Sequence, residues 1–101
     1  MNKRLTLHSM LVNILGNSNV YFQPPESVKI NYPCIIYSKD YISTKFADNN
    51  PYFNEKRYKI ILIEKDPDSS ILDDVLLLNK CVFDRYYISN NMHHNVFTIY
   101  F

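Results

Sequence analysis

The sequence predicts a small α+β domain, with two helices packed on one side of a mostly antiparallel sheet. Length and composition allow this, because 101 residues with 47% hydrophobic content are enough for one buried core. Five stretches are rich in β-branched and aromatic residues, and two others show the apolar spacing of a helix. We therefore expect residues 1–101 to form a single domain in the order helix-strand-strand-strand-helix-strand-strand.

The first predicted helix covers residues 3–15. Its apolar residues repeat at the spacing of one helical face: Leu7, Leu11, Ile14 and Leu15. Gly16 and Asn17 follow directly, and a left-handed residue at this position commonly ends a helix. His8 lies on or beside the apolar face, where we expect a histidine with satisfied hydrogen bonds rather than a ligand.

Two strands are predicted next, over residues 20–22 and from residue 34 to about residue 41. Pro24 and Pro25 lie between them and are expected in a stiff loop, because proline lacks the amide proton that a sheet ladder requires.

Residues 44–54 are predicted to form a long polar connection that carries the aromatic residues Phe46, Tyr52 and Phe53. Two interpretations are open. The connection folds back to cap its own core, or it protrudes as an arm that docks on a neighbouring subunit. Large aromatic side chains are unfavourable in water and are common anchors of protein interfaces, which supports the second interpretation.

The centre of the chain is a long strand with its apolar core over residues 58–63, where alternate side chains face opposite sides of the sheet. Pro67 ends this strand, and residues 68–70 are all favourable helix caps. A short second helix follows and ends near residues 79–80. Its apolar face is formed by Ile71, Leu72, Val75 and Leu76.

The chain finishes with a predicted hairpin, in which residues 81–88 and 94–101 are strands and residues 89–92 form the turn. Simple alternation puts Phe83 and Tyr87 on one face of the first strand, and Val82, Tyr86 and Ile88 on the other. Asp84 and Arg85 are expected to pair with neighbours across the hairpin. Phe101 ends the last strand, and the sequence leaves open whether the second edge of this strand is free or paired with another subunit.

No residues stand out as a catalytic, cofactor-binding or metal-binding set. The chain has one glycine, which excludes glycine-rich phosphate loops, and its net charge of +1 gives little reason to expect nucleic-acid binding. His93 and His94 are adjacent on a strand and therefore point to opposite faces. Asp66 and Asp68 suit the strand end and the helix start better than a metal site. We therefore predict a protein that is not an enzyme and has no cofactor.

The two cysteines, Cys34 and Cys81, are expected to be buried, reduced thiols, because no CxxC spacing indicates a zinc or redox site. Polar residues interrupt the apolar run near the N-terminus, so it fits neither a signal peptide nor a membrane span. Both observations indicate a cytoplasmic setting and no membrane partner.

Several blocks of the sequence occur in one order along nearly the whole chain. They are Val20-Tyr21-Phe22-Gln23-Pro24-Pro25, Tyr32-Pro33-Cys34-Ile35-Ile36-Tyr37, Phe46-Ala47-Asp48-Asn49 with Pro51-Tyr52, Lys56-Arg57-Tyr58, Lys65-Asp66-Pro67-Asp68-Ser69, Phe83-Asp84-Arg85-Tyr86 and His93-His94-Asn95-Val96-Phe97-Thr98. With these blocks the chain resembles a family of small tail proteins from tailed phages and prophages of Gram-positive hosts, which includes tail terminator, tail completion and minor tail proteins. The predicted element order also resembles the tail-terminator fold.

The resemblance implies a structural virion protein that assembles in the host cytoplasm. It implies a homo-oligomeric ring, usually a hexamer, at the head-proximal end of the tail tube. Such a ring stops polymerisation of the tail tube protein and joins the tail to the head–tail connector proteins. DNA is expected to pass through the ring without specific binding.

The elements that we expect at the subunit or partner interfaces are the aromatic connection, the proline loop and the terminal strand. Their residues are Phe46, Tyr52, Phe53, Pro24, Pro25 and Phe101. Within the same class, another neck component is the alternative, either a head–tail joining or completion protein or a minor tail protein. In a different class, the alternative is a small phage enzyme or an inhibitor directed at the host.

Overall fold

The computed structural model describes residues 3–25, 29–47, 50–66 and 68–101, with the backbone only at residues 3, 41–47 and 50–55. Two helices and five strands follow one another in the predicted order. They are α1 (Lys3–Leu15), β1 (Val20–Phe22), β2 (Cys34–Ala47), β3 (Asn50–Glu64), α2 (Ser70–Leu76), β4 (Cys81–Ser89) and β5 (Met92–Tyr100).

The five strands form one sheet in the order β1-β2-β3-β5-β4. Only β1 and β2 are parallel, and the other three pairings are antiparallel. The predicted α+β class and mostly antiparallel sheet are therefore confirmed. Neither of these helices is long and apolar enough to cross a membrane.

The main core lies between both helices and one face of the sheet, which we call the helix face. α1 contributes Leu7, Leu11 and Leu15, and α2 contributes Val75. The sheet contributes alternate residues of its inner strands: Ile35, Tyr37, Tyr58, Ile60, Leu62, Phe97 and Ile99. Burying each large apolar side chain stabilises the fold by roughly 1.5–3 kcal/mol. This shared cluster confirms that both helices pack on the same side.

The opposite face of the sheet, which we call the open face, carries a smaller apolar cluster. Cys34, Ile63 and Met92 are buried there, and Ile36 and Ile61 pack against them. These residues occupy the alternate positions of the same strands, as the two-residue period requires. In the described part of the chain, no helix covers this face.

The prediction that residues 44–54 form a long loop is wrong. The described residues of this stretch extend β2 and β3 as a paired ladder, with Lys45 opposite Phe53 and Ala47 opposite Asn50. The ladder accommodates Pro51 close to its end, beside a register shift between Lys45 and Phe46. Residues 44–47 and 50–54 therefore lie in paired strands rather than in a long connection, and Asp48 and Asn49 lie outside the described residues.

The end of this hairpin projects beyond the rest of the sheet. β5 pairs with β3 only from Arg57 to Glu64, and β1 pairs with β2 only from Ile35 to Tyr37. Residues 41–47 and 50–56 therefore form a two-stranded arm of about 20 Å at the usual rise of 3.3 Å per residue. The molecule is accordingly elongated, with dimensions of 51 × 27 × 23 Å.

An ion pair stands at the base of this arm. A register shift between Lys39 and Tyr41 marks an irregularity in β2 at Asp40. The Nε atom of Arg57 donates a hydrogen bond of 2.6 Å to the Asp40 carboxylate. The Tyr100 side chain also hydrogen-bonds Arg57, and with Asp40 it raises the pKa of the guanidinium. These contacts connect β2, β3 and β5 at the base of the arm.

A buried tyrosine attaches α1 to the sheet. The Tyr37 side chain is fully buried, and its hydroxyl lies 2.7 Å from His8 Nδ1 and accepts a hydrogen bond of 3.3 Å from Arg4. The Arg4 guanidinium also lies 4.3 Å from the centre of the Phe22 ring, in a cation–π arrangement. Burial, and then the charge of Arg4, lower the pKa of His8. His8 is therefore the hydrogen-bonded boundary residue that the sequence predicts.

Both cysteines are free thiols. Cys34 lies on β2 and Cys81 on β4, and two other strands separate them in the sheet. Burial raises the pKa of each thiol to about 11. The prediction of unpaired thiols is confirmed, with Cys34 fully buried and Cys81 partly buried.

Candidate protein interface

Among the described residues, the most unusual surface is β4, an edge strand that pairs with β5 and with no other described strand. Every residue from Val82 to Ser89 is exposed to solvent. Five of them are large and apolar or aromatic, with exposed fractions of 62% for Val82, 43% for Phe83, 48% for Tyr86, 41% for Tyr87 and 60% for Ile88. We call these five residues the β4 patch. Edge strands of this kind pair readily with another chain unless charge or a covering element prevents it.

The β4 patch exposes side chains on both faces of the sheet, and its arrangement differs from the predicted one. A register shift between Phe83 and Arg85 marks a β-bulge at Asp84, so that the alternation of side chains moves by one residue. Phe83, Tyr86 and Ile88 consequently lie on the helix face, and Val82 and Tyr87 lie on the open face. The predicted grouping of Phe83 with Tyr87 is wrong, because simple alternation cannot anticipate a bulge.

Aromatic contacts with β5 hold the rings of the β4 patch in place. Tyr86 stacks on His93 with an interplanar angle of 17° and hydrogen-bonds its Nδ1 atom, and Tyr87 stacks on His94 with ring centres 4.7 Å apart. His94 Nδ1 donates to the Met92 carbonyl at 3.1 Å, which defines the tautomer of that ring. These rings are ordered before any partner arrives, so binding costs little side-chain entropy.

The same contacts decide the roles of the two histidines. His93 and His94 have different tyrosine partners on opposite faces of the sheet, as predicted for adjacent strand residues. In the part of the chain that the structure describes, no three histidine, cysteine, aspartate or glutamate side chains are close enough to hold a metal ion. The histidines therefore support the β4 patch.

The only charges on β4 are Asp84 and Arg85, which lie at its centre. Their side chains approach to 3.4 Å, and both are substantially exposed. A surface ion pair of this kind contributes little to stability. The predicted pairing of these two residues with neighbours across the hairpin is replaced by this contact between them, because the bulge places them side by side. Both charges remain accessible to a partner.

The area of the β4 patch can be compared with that of a standard protein interface. Three aromatic side chains that are nearly half exposed and two aliphatic ones expose on the order of 400 Å². A partner in a standard interface buries about 800 Å² on each side. The β4 patch therefore provides about half of what one such interface needs, and the main-chain groups of an unpaired edge add to it.

The interface residues predicted from the sequence lie at three different places. Pro24 and Pro25 follow β1, at the opposite edge of the sheet from β4. The backbones of Phe46, Tyr52 and Phe53 lie in the projecting arm, and their side chains are outside the described residues. Phe101 follows β5 and packs partly buried against the main core.

The position of β5 answers the question that the sequence left open. This strand pairs with β3 on one side and with β4 on the other, so that neither of its edges is free. The unpaired edge at this end of the sheet belongs to β4. The sequence contained only a weak signal that β4 is an exposed edge strand, namely apolar residues on both faces of a strand that carries two central charges.

A separate cleft of about 300 Å³ lies at the end of β3, lined by Tyr32, Pro33, Glu64, Lys65, Asp66 and Met92. Glu64 is almost fully buried, and burial raises the pKa of its carboxyl group. The Ser69 side chain hydrogen-bonds this carboxyl, while its oxygen accepts from Ile71 N at the start of α2. Glu64 therefore has a structural role at the helix start, and the cleft provides no second candidate function.

No protein-family model matches the chain, and no curated protein matches it either.

Proposed function

We propose that this protein is a structural virion protein of a tailed phage, a tail terminator that forms a ring at the head-proximal end of the tail tube. The observation that carries the proposal is the β4 patch, a preordered apolar surface on an unpaired sheet edge. A surface of this kind suits binding to other protein subunits. The sequence resemblance described above supplies the specific role in the tail.

A closed ring requires each subunit to offer two different surfaces that fit one another after rotation. The β4 patch is one such surface. The projecting arm and the loop after β1 lie away from β4 and supply the second. The elongated form of the subunit separates these surfaces. The partners are further copies of the chain, the tail tube protein and the connector proteins of the head.

Electron microscopy of a phage lysate that lacks this gene tests the proposal. Overlong tail tubes without heads are the expected result, because nothing then stops tube growth. Tails of normal length that remain detached from filled heads would instead support the alternative of a joining or completion protein. Normal infectious particles would reject the structural role and favour the enzyme or inhibitor alternatives.

Complementation of that phage with variants tests the β4 patch itself. Val82→Lys and Ile88→Lys place a charge in the patch, and we expect each to reduce phage yield by at least about tenfold. Leu5→Lys is the matched control, because Leu5 is 54% exposed on α1. Full complementation by both patch variants would contradict the proposed use of β4.

The arm is tested in the same assay by replacing both Tyr52 and Phe53 with alanine. Loss of assembly is expected if these aromatic residues anchor the neighbouring subunit. Unchanged assembly would remove them from the proposed interface and leave the β4 patch as the remaining contact surface.

A further inference from the structure

We propose that the free protein forms a two-fold dimer in which the β4 strands of two copies pair antiparallel, edge to edge. The occupant of the β4 edge in this form is a second copy of the chain. This inference goes beyond the proposed function, because an isologous pair differs from the head-to-tail contact of a ring. It does not depend on a phage origin, since it is argued only from the geometry and charges of β4.

The direction of the side chains at the bulge favours this pairing. In antiparallel strands, residues directly opposite each other point to the same face of the sheet. The bulge at Asp84 puts Phe83 and Tyr86 on one face, and Val82 and Tyr87 on the other. A register that places Phe83 opposite the second copy's Tyr86 also places Val82 opposite its Tyr87. In both pairs the two side chains point to the same face of the sheet. In a register shifted by one residue, opposite side chains would point to different faces.

The two charges of β4 favour the same pairing. In this same register the two-fold axis passes between Asp84 and Arg85. Asp84 of each copy then lies opposite Arg85 of the other, which makes two ion pairs between opposite charges at the centre of the interface. Shifting by two residues either way removes these pairs and places Asp84 opposite Phe83 or Tyr87. Only one register therefore combines the faces, the aromatic pairs and the charges.

The backbone hydrogen-bonding groups of β4 also fit this pairing. The amide of Tyr100 donates to the Lys80 carbonyl, so that Lys80 bonds toward β5. Alternation then directs the main-chain groups of Phe83 away from β5, and beyond the bulge the same holds for Tyr86. These two residues are opposite each other in the proposed register. Their N–H and C=O groups can therefore complete a regular ladder between the copies.

The dimer occupies the surface that the ring would use. Two β4 patches meet, so the apolar edge is covered and is protected from less specific edge-to-edge association. The area is at the lower end for specific interfaces, which predicts a reversible, concentration-dependent dimer. A ring contact through β4 would then form only after the dimer separates.

Charge variants test the register directly. In Asp84→Arg, two arginines of one copy face two arginines of the other, and in Arg85→Asp aspartates face aspartates. We expect wild type to sediment at twice the chain mass of 12.0 kDa, and each variant to show a dimer dissociation constant raised by about tenfold or more. Asp74→Arg is the matched control, because Asp74 is exposed on α2. A wild type that stays monomeric at millimolar concentration overturns the proposal.

Mixing the two single variants gives the sharpest result. The two arginines at positions 84 and 85 of one variant then face the two aspartates of the other. We therefore expect native mass spectrometry to show a heterodimer, although each variant alone is monomeric. A contact between β4 and any other element would not be restored by mixing. Absence of the heterodimer, or dimers of the single variants as stable as wild type, overturns the register.

Cross-linking provides a test that does not depend on charge. In the variant Val82→Cys/Tyr87→Cys, the introduced thiols of two copies are opposite each other, at a Cα separation of about 4.5 Å that permits a disulfide. Within one chain the two positions are five residues apart on an extended strand, about 16 Å, and cannot join. The control Val82→Cys/Ser89→Cys places the introduced thiols opposite Tyr87 and Lys80 of the second copy, so it should cross-link at least tenfold less. Equal cross-linking of both variants contradicts the proposal.

Discussion

The hydroxyl of Tyr37 offers a sharp test of how α1 is attached to the sheet. Tyr37→Phe keeps the buried ring and its contacts with Phe22 and Tyr58, at ring-centre distances of 5.0 and 6.2 Å. It removes only the hydrogen bonds with His8 and Arg4. The measured change in stability therefore reports on these polar contacts, without a cavity in the core.

The expected magnitude follows from the two hydrogen bonds. A buried hydrogen bond contributes about 1 kcal/mol net, and one to a charged group contributes somewhat more. Because His8 and Arg4 are only partly buried, water can replace part of what they lose. We therefore expect Tyr37→Phe to lower the free energy of unfolding by about 1–2 kcal/mol, which corresponds to roughly 5–15 °C in Tm for a chain of this size.

Urea unfolding followed by circular dichroism measures this change. The midpoint should fall while the slope m stays the same, since the surface exposed on unfolding does not change. Tyr32→Phe is the matched control, because Tyr32 is 51% exposed, and its stability should remain within about 0.5 kcal/mol of wild type. A Tyr37→Phe midpoint no lower than that of the control would refute the role of the hydroxyl.

Three further predictions concern titrating groups. Because the pKa of His8 is lowered in the folded state, the unfolded chain binds the proton more tightly. The free energy of unfolding should therefore fall as the pH drops below 6.5. His8→Gln should remove this part of the pH dependence of stability, measured by urea unfolding at several pH values. Because the pKa of Glu64 is raised in the folded state, its charge opposes folding at neutral pH. Glu64→Gln can keep the hydrogen bond to Ser69, so it should raise Tm at pH 7 and give no gain below pH 4.5. A lower Tm of this variant at pH 7 would contradict the prediction. With pKa values of about 11, the thiols of Cys34 and Cys81 are mostly protonated at pH 8. They should therefore react with a disulfide reagent at least tenfold more slowly in the native chain than in the urea-unfolded chain. Equal rates would reject their burial.

Local patterns predict most of the fold because they depend on near neighbours in the chain. The apolar spacing in residues 3–15, the left-handed Gly16 with φ of +81° and the cap at Ser69 all occur where the sequence signals place them. The turn of the last hairpin also forms as predicted, with Asn90 and Asn91 both at positive φ. These features require no knowledge of which strands become neighbours.

The errors arise where a feature depends on a distant partner. Residues 44–54 contain several turn-forming residues, and only pairing between β2 and β3 converts them into a hairpin arm. The faces of Tyr86 and Tyr87 are exchanged because β4 must accommodate a bulge opposite β5. Neither register can be derived from the residues of one strand.

The sequence therefore predicted the class of the fold, the order of its elements and part of its main core, although Ile14 is only partly buried and Leu76 is 40% exposed. It did so because hydrophobic period, caps and turn residues act over a few positions. Strand pairing in the folded sheet determines that β5 is an inner strand and β4 an edge. Both strands carry similar apolar residues, and burial is set by the strands that pair beside them, so the exposed surface of the protein is a property of the assembled sheet.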